Sequence, residues 1–238
     1  MNVKLLLHRE SHHTIALDHS REMNREDFYQ PGLPALPGQH YRAFVRYATR
    51  HAGQSVLDLG CGYGAYSIDL STQGYRCTGC DINLEYLKKA SQHGLPVVAA
   101  NSVLPFPDAS FDTVLLFEVI EHVANAETLL KEAFRVARKN VLVTVPNIED
   151  IERLKTNDVT YAHMLSSDHI NFFDTASLAR LLGQFGQDVV VKRGDPIYPF
   201  WFLGKSAAYY ALRAIYRVGL LKPRFFSRIY AVASVRKN

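Results

Sequence analysis

The chain of 238 residues lies between one and two average domains, and its 47% hydrophobic content can fill a substantial core without disulfide staples. Its formal net charge of +4 is unevenly placed: residues 201–238 hold eight Lys or Arg and no acid, which leaves 19 basic against 23 acidic residues in the remainder. That distribution excludes the evenly positive surface that tracks nucleic acid, and it points to an anionic partner near one end of the chain.

At the amino end the apolar run Leu5, Leu6 and Leu7 is broken at once by His8, Arg9 and Glu10, so no secretory leader is expected. Residues 1–38 read as an arm and a linker that ends in Pro31-Gly-Leu-Pro-Ala-Leu-Pro-Gly38. Residues 39–238 then read as one domain. Gln39 to Arg50 has helical spacing, and from Ser55 short apolar runs alternate with amphipathic segments. The predicted strands hold Val56 and Leu57, Arg76 to Cys80, Val97 and Val98, Thr113 to Phe117, and Val141 to Val145; Leu84 to Gln92 and Ala126 to Arg138 have the length of crossover helices. This βαβ rhythm predicts an α/β fold with a mostly parallel sheet covered on both faces. Cys77 and Cys80 have a metal-like spacing, but there is no second pair, and positions 77 and 80 of a strand point to opposite faces.

After Pro146 the pattern lapses until Asp174 caps a further helix, and a connection of that length is more often functional than accidental. It is expected to form a lid or acceptor loop over 146–174. Val189 to Val191 reads as another strand and Arg228 to Val235 as the last, with an aromatic-rich helical insertion at 195–226 between them.

The most specific segment is Val56-Leu-Asp-Leu-Gly-Cys-Gly-Tyr-Gly64, a strand that runs into a glycine loop and then a helix. Glycines at such a turn let backbone approach a ligand closely. Gly60, Gly62 and Ala65 also fit the dinucleotide fingerprint, but a pyrophosphate there would lie near the carboxylate of Asp58. A ligand with a sulfonium and an ammonium group would welcome that charge. Asp81 ends the second strand, where a carboxylate can accept both hydroxyls of a ribose in either reading.

With these motifs in this order the sequence resembles the class I S-adenosylmethionine-dependent methyltransferases over residues 39–193, and in particular small-molecule and ubiquinone-type O-methyltransferases. Val56 to Gly64 looks like their first motif, Asp81 and Ile82 like their ribose acid and its adenine-packing neighbour, and Leu104 to Asp112 like their lead into strand four. The resemblance implies a doubly wound, Rossmann-like sheet of seven strands with a reversed final hairpin, and S-adenosylmethionine over the carboxyl ends of the strands. Gly60, Cys61, Gly62 and Gly64 would line its methionine part above Asp58, with Phe117 and Glu118 also at the cofactor. Asp81 would hold the ribose and Ile82 the adenine. Where the family often has an acid after strand three, this chain has Ala99-Ala-Asn-Ser102, and Asn101 can accept the same hydrogen bond through its side-chain oxygen.

Methyl transfer to a hydroxyl needs a base, whereas an uncharged amine can shed its proton later. Phe117-Glu-Val-Ile-Glu-His-Val123 follows the fourth strand, and if a helix starts there Glu118, Glu121 and His122 share one face. Three readings stay open: first-turn acids with a packed histidine, a general base in His122, or part of a divalent-metal site completed by His169. The motif alone does not separate them, and no metal is assigned. His122 and His169 are the catalytic candidates; the competing reading of Asp168-His169 is a loop anchored by Phe172 and Phe173. Tyr29, Tyr63 and Tyr66 can line the cofactor, close a lid or simply pack.

In the insertion, Lys205, Tyr209, Arg213 and Arg217 draw a basic stripe beside unusually apolar sides. Two readings stand here: attachment to a membrane surface or capture of a lipid-linked acceptor, and a helix packed over the substrate pocket or in a homodimer interface. The expected activity is methyl transfer to a small-molecule or lipid-linked acceptor, more readily at oxygen, in a cytoplasmic protein that can be peripheral to the membrane. The alternatives are a metal-dependent RNA 2′-O-methyltransferase, disfavoured by the acidic body, and a non-catalytic methyltransferase-like binding subunit.

Overall fold

Short strands, most of them followed by a helix, assemble into a single seven-stranded sheet flanked by helices on both faces. The computed structural model describes residues 39–149, 151, 169–197 and 206–236. The arm and linker read at 1–38, most of the 146–174 loop with Asp168, and residues 198–205 with Lys205 lie outside them, as does Tyr29.

In chain order the elements are α1 (Gln39–His51), β1 (Ser55–Leu59), α2 (Ala65–Thr72), β2 (Arg76–Asp81), α3 (Leu84–Gln92), β3 (Val97–Ala99) and β4 (Phe111–Phe117). They are followed by α4 (Ala126–Val136), β5 (Ala137–Pro146), α5 (Thr175–Phe185), β6 (Gly186–Ile197), α6 (Ala207–Arg217) and β7 (Phe225–Val235). The sheet order is β3-β2-β1-β4-β5-β7-β6. The first five strands in that order pair in parallel, and β7 is antiparallel to both β5 and β6. The reversed hairpin is therefore present, and the order turns back between β1 and β4, where an open α/β sheet parts to admit ligands at the carboxyl ends of its strands.

Side chains alternate across the sheet into two cores. Leu57, Val114, Leu116, Val141 and Val143 meet Leu129, Leu130 and Ala133 of α4 and Leu178 and Leu182 of α5. Val56, Leu115, Phe117 and Leu142 face Phe44, Val45 and Ala48 of α1, Leu70 of α2 and Ala90 of α3. Cys80 belongs to the first core and Cys77 to the second, so the two thiols stand on opposite faces as strand alternation requires. Side-chain caps fix several helix starts. Asn83 accepts from the backbone N–H of Glu85 and Tyr86, and Asp174 forms a reciprocal capping box with Ser177.

The insertion is shorter than the span read from sequence. Pairing of Ile197 with Phe225 and of Pro196 with Phe226 carries β6 and β7 into both ends of the span read as the insertion.

Candidate active site

The glycine loop leaves β1 with Gly60 at φ 79° and Gly62 at φ 52°, both left-handed conformations that side chains resist. At Gly60 a Cβ would also lie 2.6 Å from Cγ2 of Val119, so the turn after β4 rests directly on this loop. At Gly62 nothing stands within 4 Å of that position, which leaves open space above the backbone. The Gly62 N–H donates to Oδ2 of Asp81 over 2.9 Å, and the Asn83 N–H donates to Oδ1 over 2.8 Å. The carboxylate at the end of β2 is thus aimed by two backbone groups. Beside it Ile82 is 73% exposed, an apolar surface at the sheet edge. Asn101, beyond β3, is exposed, and its Oδ1 accepts from the Ser102 hydroxyl.

Asp58 lies buried beneath the loop, where the Ser67 hydroxyl of α2 donates to its Oδ2 over 2.8 Å. Burial pushes its pKa up to about 6; the Ser67 bond opposes the rise and the charge of Asp81 adds to it. Cys61 is also buried, its thiol pushed up by burial and bonded to the Gly62 carbonyl, so only its backbone faces the loop's open side. Tyr63 packs on Tyr86 and Tyr66 on Phe44.

No helix begins directly after β4. Glu118 adopts φ 56°, and this left-handed residue turns the chain before helical spacing can apply. The expectation that Glu118, Glu121 and His122 share a helix face is therefore corrected. Glu118 is drawn away: its Oε2 lies 3.0 Å from Nη2 of Arg228, and its Oε1 accepts from the Thr144 hydroxyl. Its carboxylate is committed to the protein, and the ring of Phe117 is buried among Phe44, Tyr47 and Tyr66. Both residues were read as cofactor contacts, and these are the contacts their side chains make within the protein.

Glu121, His122 and His169 do come together, with potential ligand atoms all within 4.8 Å of one another. The His122 and His169 rings are 4.7 Å apart at 68°, and His122 Nε2 lies 4.0 Å from the buried Glu121 carboxylate. The residue that brings His169 here is Asn171. Its Nδ2 donates to the carbonyls of Ile120 and Val123, while the N–H groups of Ile170 and Asn171 donate to that of Glu121. Phe173 is buried and supports this anchor, but Phe172 is 47% exposed and does not.

Sequence reasoning passed over Arg228, whose guanidinium bridges Glu118 and, at 3.2 Å, Asp195 of β6, and sits 4.8 Å over the Phe44 ring. Tyr230 donates to the same Asp195 oxygen over 2.9 Å. Desolvation opposes the charge on Arg228, yet the two carboxylates outweigh it and hold the guanidinium protonated. Asp195, like Glu118, has a left-handed backbone, at φ 54°. One buried cation thus holds two strained acids, joining the turn after β4 to the reversed hairpin. The signal available in the sequence was a lone arginine inside an apolar strand, Phe225-Phe-Ser-Arg-Ile-Tyr230.

Residues 57–145 match the family model described as a methyltransferase domain. The chain is 28% identical over 148 residues to ajmaline N-methyltransferase of Rauvolfia serpentina, covering 53% of this chain and 51% of that protein. It is 36% identical over 120 residues to a probable S-adenosylmethionine-dependent methyltransferase of Mycolicibacterium smegmatis, covering 46% and 44%. The matched stretch thus spans about half the length of these relatives. Magnesium protoporphyrin IX methyltransferase of Synechocystis PCC 6803, solved with bound SAH, superposes with a TM-score of 0.61 at 17% identity, over 94% of this chain and 100% of that one. That likeness establishes the fold.

Two outcomes follow from the buried charges. Arg228→Met leaves the Glu118 and Asp195 carboxylates without their cation and should cost about 3–5 kcal/mol in urea unfolding, with part of the loss recovered by adding Glu118→Gln. A loss below about 1 kcal/mol would deny the bridge this role. The raised pKa of Asp58 means the fold holds a proton that the unfolded chain has released. Its contribution to stability is full below pH ~4 and lost as pH rises through about 6. Asp58→Asn should therefore gain on the wild type by about 3 kcal/mol between pH 4 and pH 8 in parallel unfolding experiments. A variant that instead falls further behind the wild type at pH 8 would contradict the assignment.

Proposed function

We propose, on the premise that residues 57–145 form a methyltransferase domain and that the fold is that of class I S-adenosylmethionine-dependent methyltransferases, that this chain methylates a small-molecule hydroxyl with His122 as the base. The carrying observation is the packing of Val119 on Gly60, which sets the Glu121-His122-His169 cluster beside the glycine loop. The residues around that loop fit S-adenosylmethionine. Asp81 keeps lone pairs beyond its two backbone bonds for ribose hydroxyls, and Ile82 and Asn101 offer an apolar face and an acceptor to the adenine. The open backbone at Gly62 admits close approach, and the buried Asp58 charge suits a ligand with cationic groups rather than a pyrophosphate. The cofactor, when bound, supplies an electrophilic methyl group.

The protein's part is alignment and proton removal. A hydroxyl acceptor loses its proton during attack, and the His122 imidazole, half-buried beside the Glu121 carboxylate, is placed to take it. Asn171 acts as a positioning residue, since its two bonds to the 120–123 turn hold His169 against His122. A second reading rests on the same cluster: two imidazoles and a carboxylate within 4.8 Å suit a divalent ion that would polarise the acceptor.

The test is transfer of labelled methyl from S-adenosylmethionine to parallel panels of phenols and amines. Phenols should accept, His122→Ala should lower kcat about 100-fold or more with cofactor affinity unchanged, and Asn171→Ala should lower kcat less. Transfer to amines alone, or undiminished turnover by the His122 variant, would defeat the base reading. Loss of turnover on dialysis against EDTA, restored by magnesium or manganese, would favour the metal.

A further inference from the structure

The connection from β6 to β7 contains an amphipathic helix with no buried residue. The Ser206 hydroxyl accepts from the Tyr209 N–H and starts α6 cleanly. Along the outward side Tyr210, Ala214 and Val218 follow at four-residue steps, with Tyr210 54% and Val218 69% exposed. Leu220 and Leu221 extend this apolar strip past the helix end at 76% and 46% exposure. Arg213 and Arg217 form the adjoining row, and Lys222 and Arg224 follow. Apolar surface of this kind, left in water and gathered at one place, marks an interaction site.

Charge identifies what covers it. Residues 201–238 contain no Asp or Glu, so every ionised side chain that this segment sets beside the strip is a cation. A second copy docking through this same face would set these arginines against their own symmetry mates with no acid of the segment to pair them. A bilayer surface that carries anionic phospholipid complements both features: the apolar strip sinks to the acyl boundary while the guanidinium and ammonium groups meet phosphates. No described helix is long and apolar enough to cross a membrane. We propose that residues 206–224 dock this protein on the surface of a membrane containing anionic phospholipid. The segment leaves and rejoins the sheet at Ile197 and Phe225, a few residues from Arg228, so docking holds the carboxyl edge of the sheet near the bilayer. This binding stands apart from the reaction proposed above and is read without it.

The experiment is co-sedimentation of the full chain with vesicles of phosphatidylcholine alone and of equal parts phosphatidylcholine and phosphatidylserine. The wild type should sediment with the mixed vesicles only, and added salt should release it. Arg213→Glu with Arg217→Glu should weaken the partition at least about tenfold, since each cation near an anionic surface contributes independently. Leu220→Ser with Leu221→Ser should weaken it through the apolar contact alone. Because these side chains are not buried, both variants should keep the wild-type thermal transition. No binding to mixed vesicles, equal binding to neutral ones, or undiminished binding by both variants would overturn the proposal. So would a dimer in sedimentation equilibrium that the same substitutions dissolve, since the face would then be an interface between copies.

Discussion

Position 60 has no room for a side chain. Val119 occupies the space where a Cβ would stand, and the backbone at φ 79° is one that only glycine adopts without strain. This one close approach joins the two halves of the site. On one side the loop continues through Gly62, whose N–H aims the Asp81 carboxylate; on the other the turn after β4 carries Glu121 and His122. In the proposed reaction a methyl donor and an acceptor must meet within van der Waals distance for in-line displacement, and a larger residue at 60 would force their supports apart.

A second constraint fixes the far side of the turn. Glu118 and Asp195 both sit in left-handed backbone, a conformation costing about 1–3 kcal/mol where it is not otherwise stabilised. Arg228 stands between them with a hydrogen-bonded pair on each side. The antiparallel strand β7 carries this arginine to the carboxyl edge of the parallel strands, in register with Pro146 of β5. The reversed hairpin therefore does more than close the sheet: it supplies the cation that holds the turn after β4 in place, and the Phe44 ring, itself packed on Tyr230, lies over that cation.

Local patterns made most of the scaffold legible. The apolar runs of β4 and β5 and the helical period of α3 and α4 are properties of consecutive residues, as is the glycine loop with Asp58 and Asp81. The opposed faces of Cys77 and Cys80 also followed from alternation alone. What escaped were contacts between residues far apart in the chain. Glu118 would share a face with Glu121 and His122 if a helix began there, but a partner 26 residues away at Thr144 and the buried Arg228 turn it elsewhere. Asn171 reads as an ordinary loop residue until its two bonds to the 120–123 turn are seen. The insertion's apolar content left both a packed helix and a membrane-facing one open, and the exposure of α6, which has no buried residue, is visible only in three dimensions.

Calorimetric titration of the wild type and of Asp81→Ala with S-adenosylmethionine and S-adenosylhomocysteine bears most directly on the glycine loop as a cofactor site. Both ligands should bind the wild type saturably, with a loss of about tenfold or more in the variant, because a carboxylate accepting hydroxyl hydrogen bonds contributes more than a neutral acceptor would. Absence of binding by the well-folded wild type, or equal affinity in the variant, would contradict that assignment.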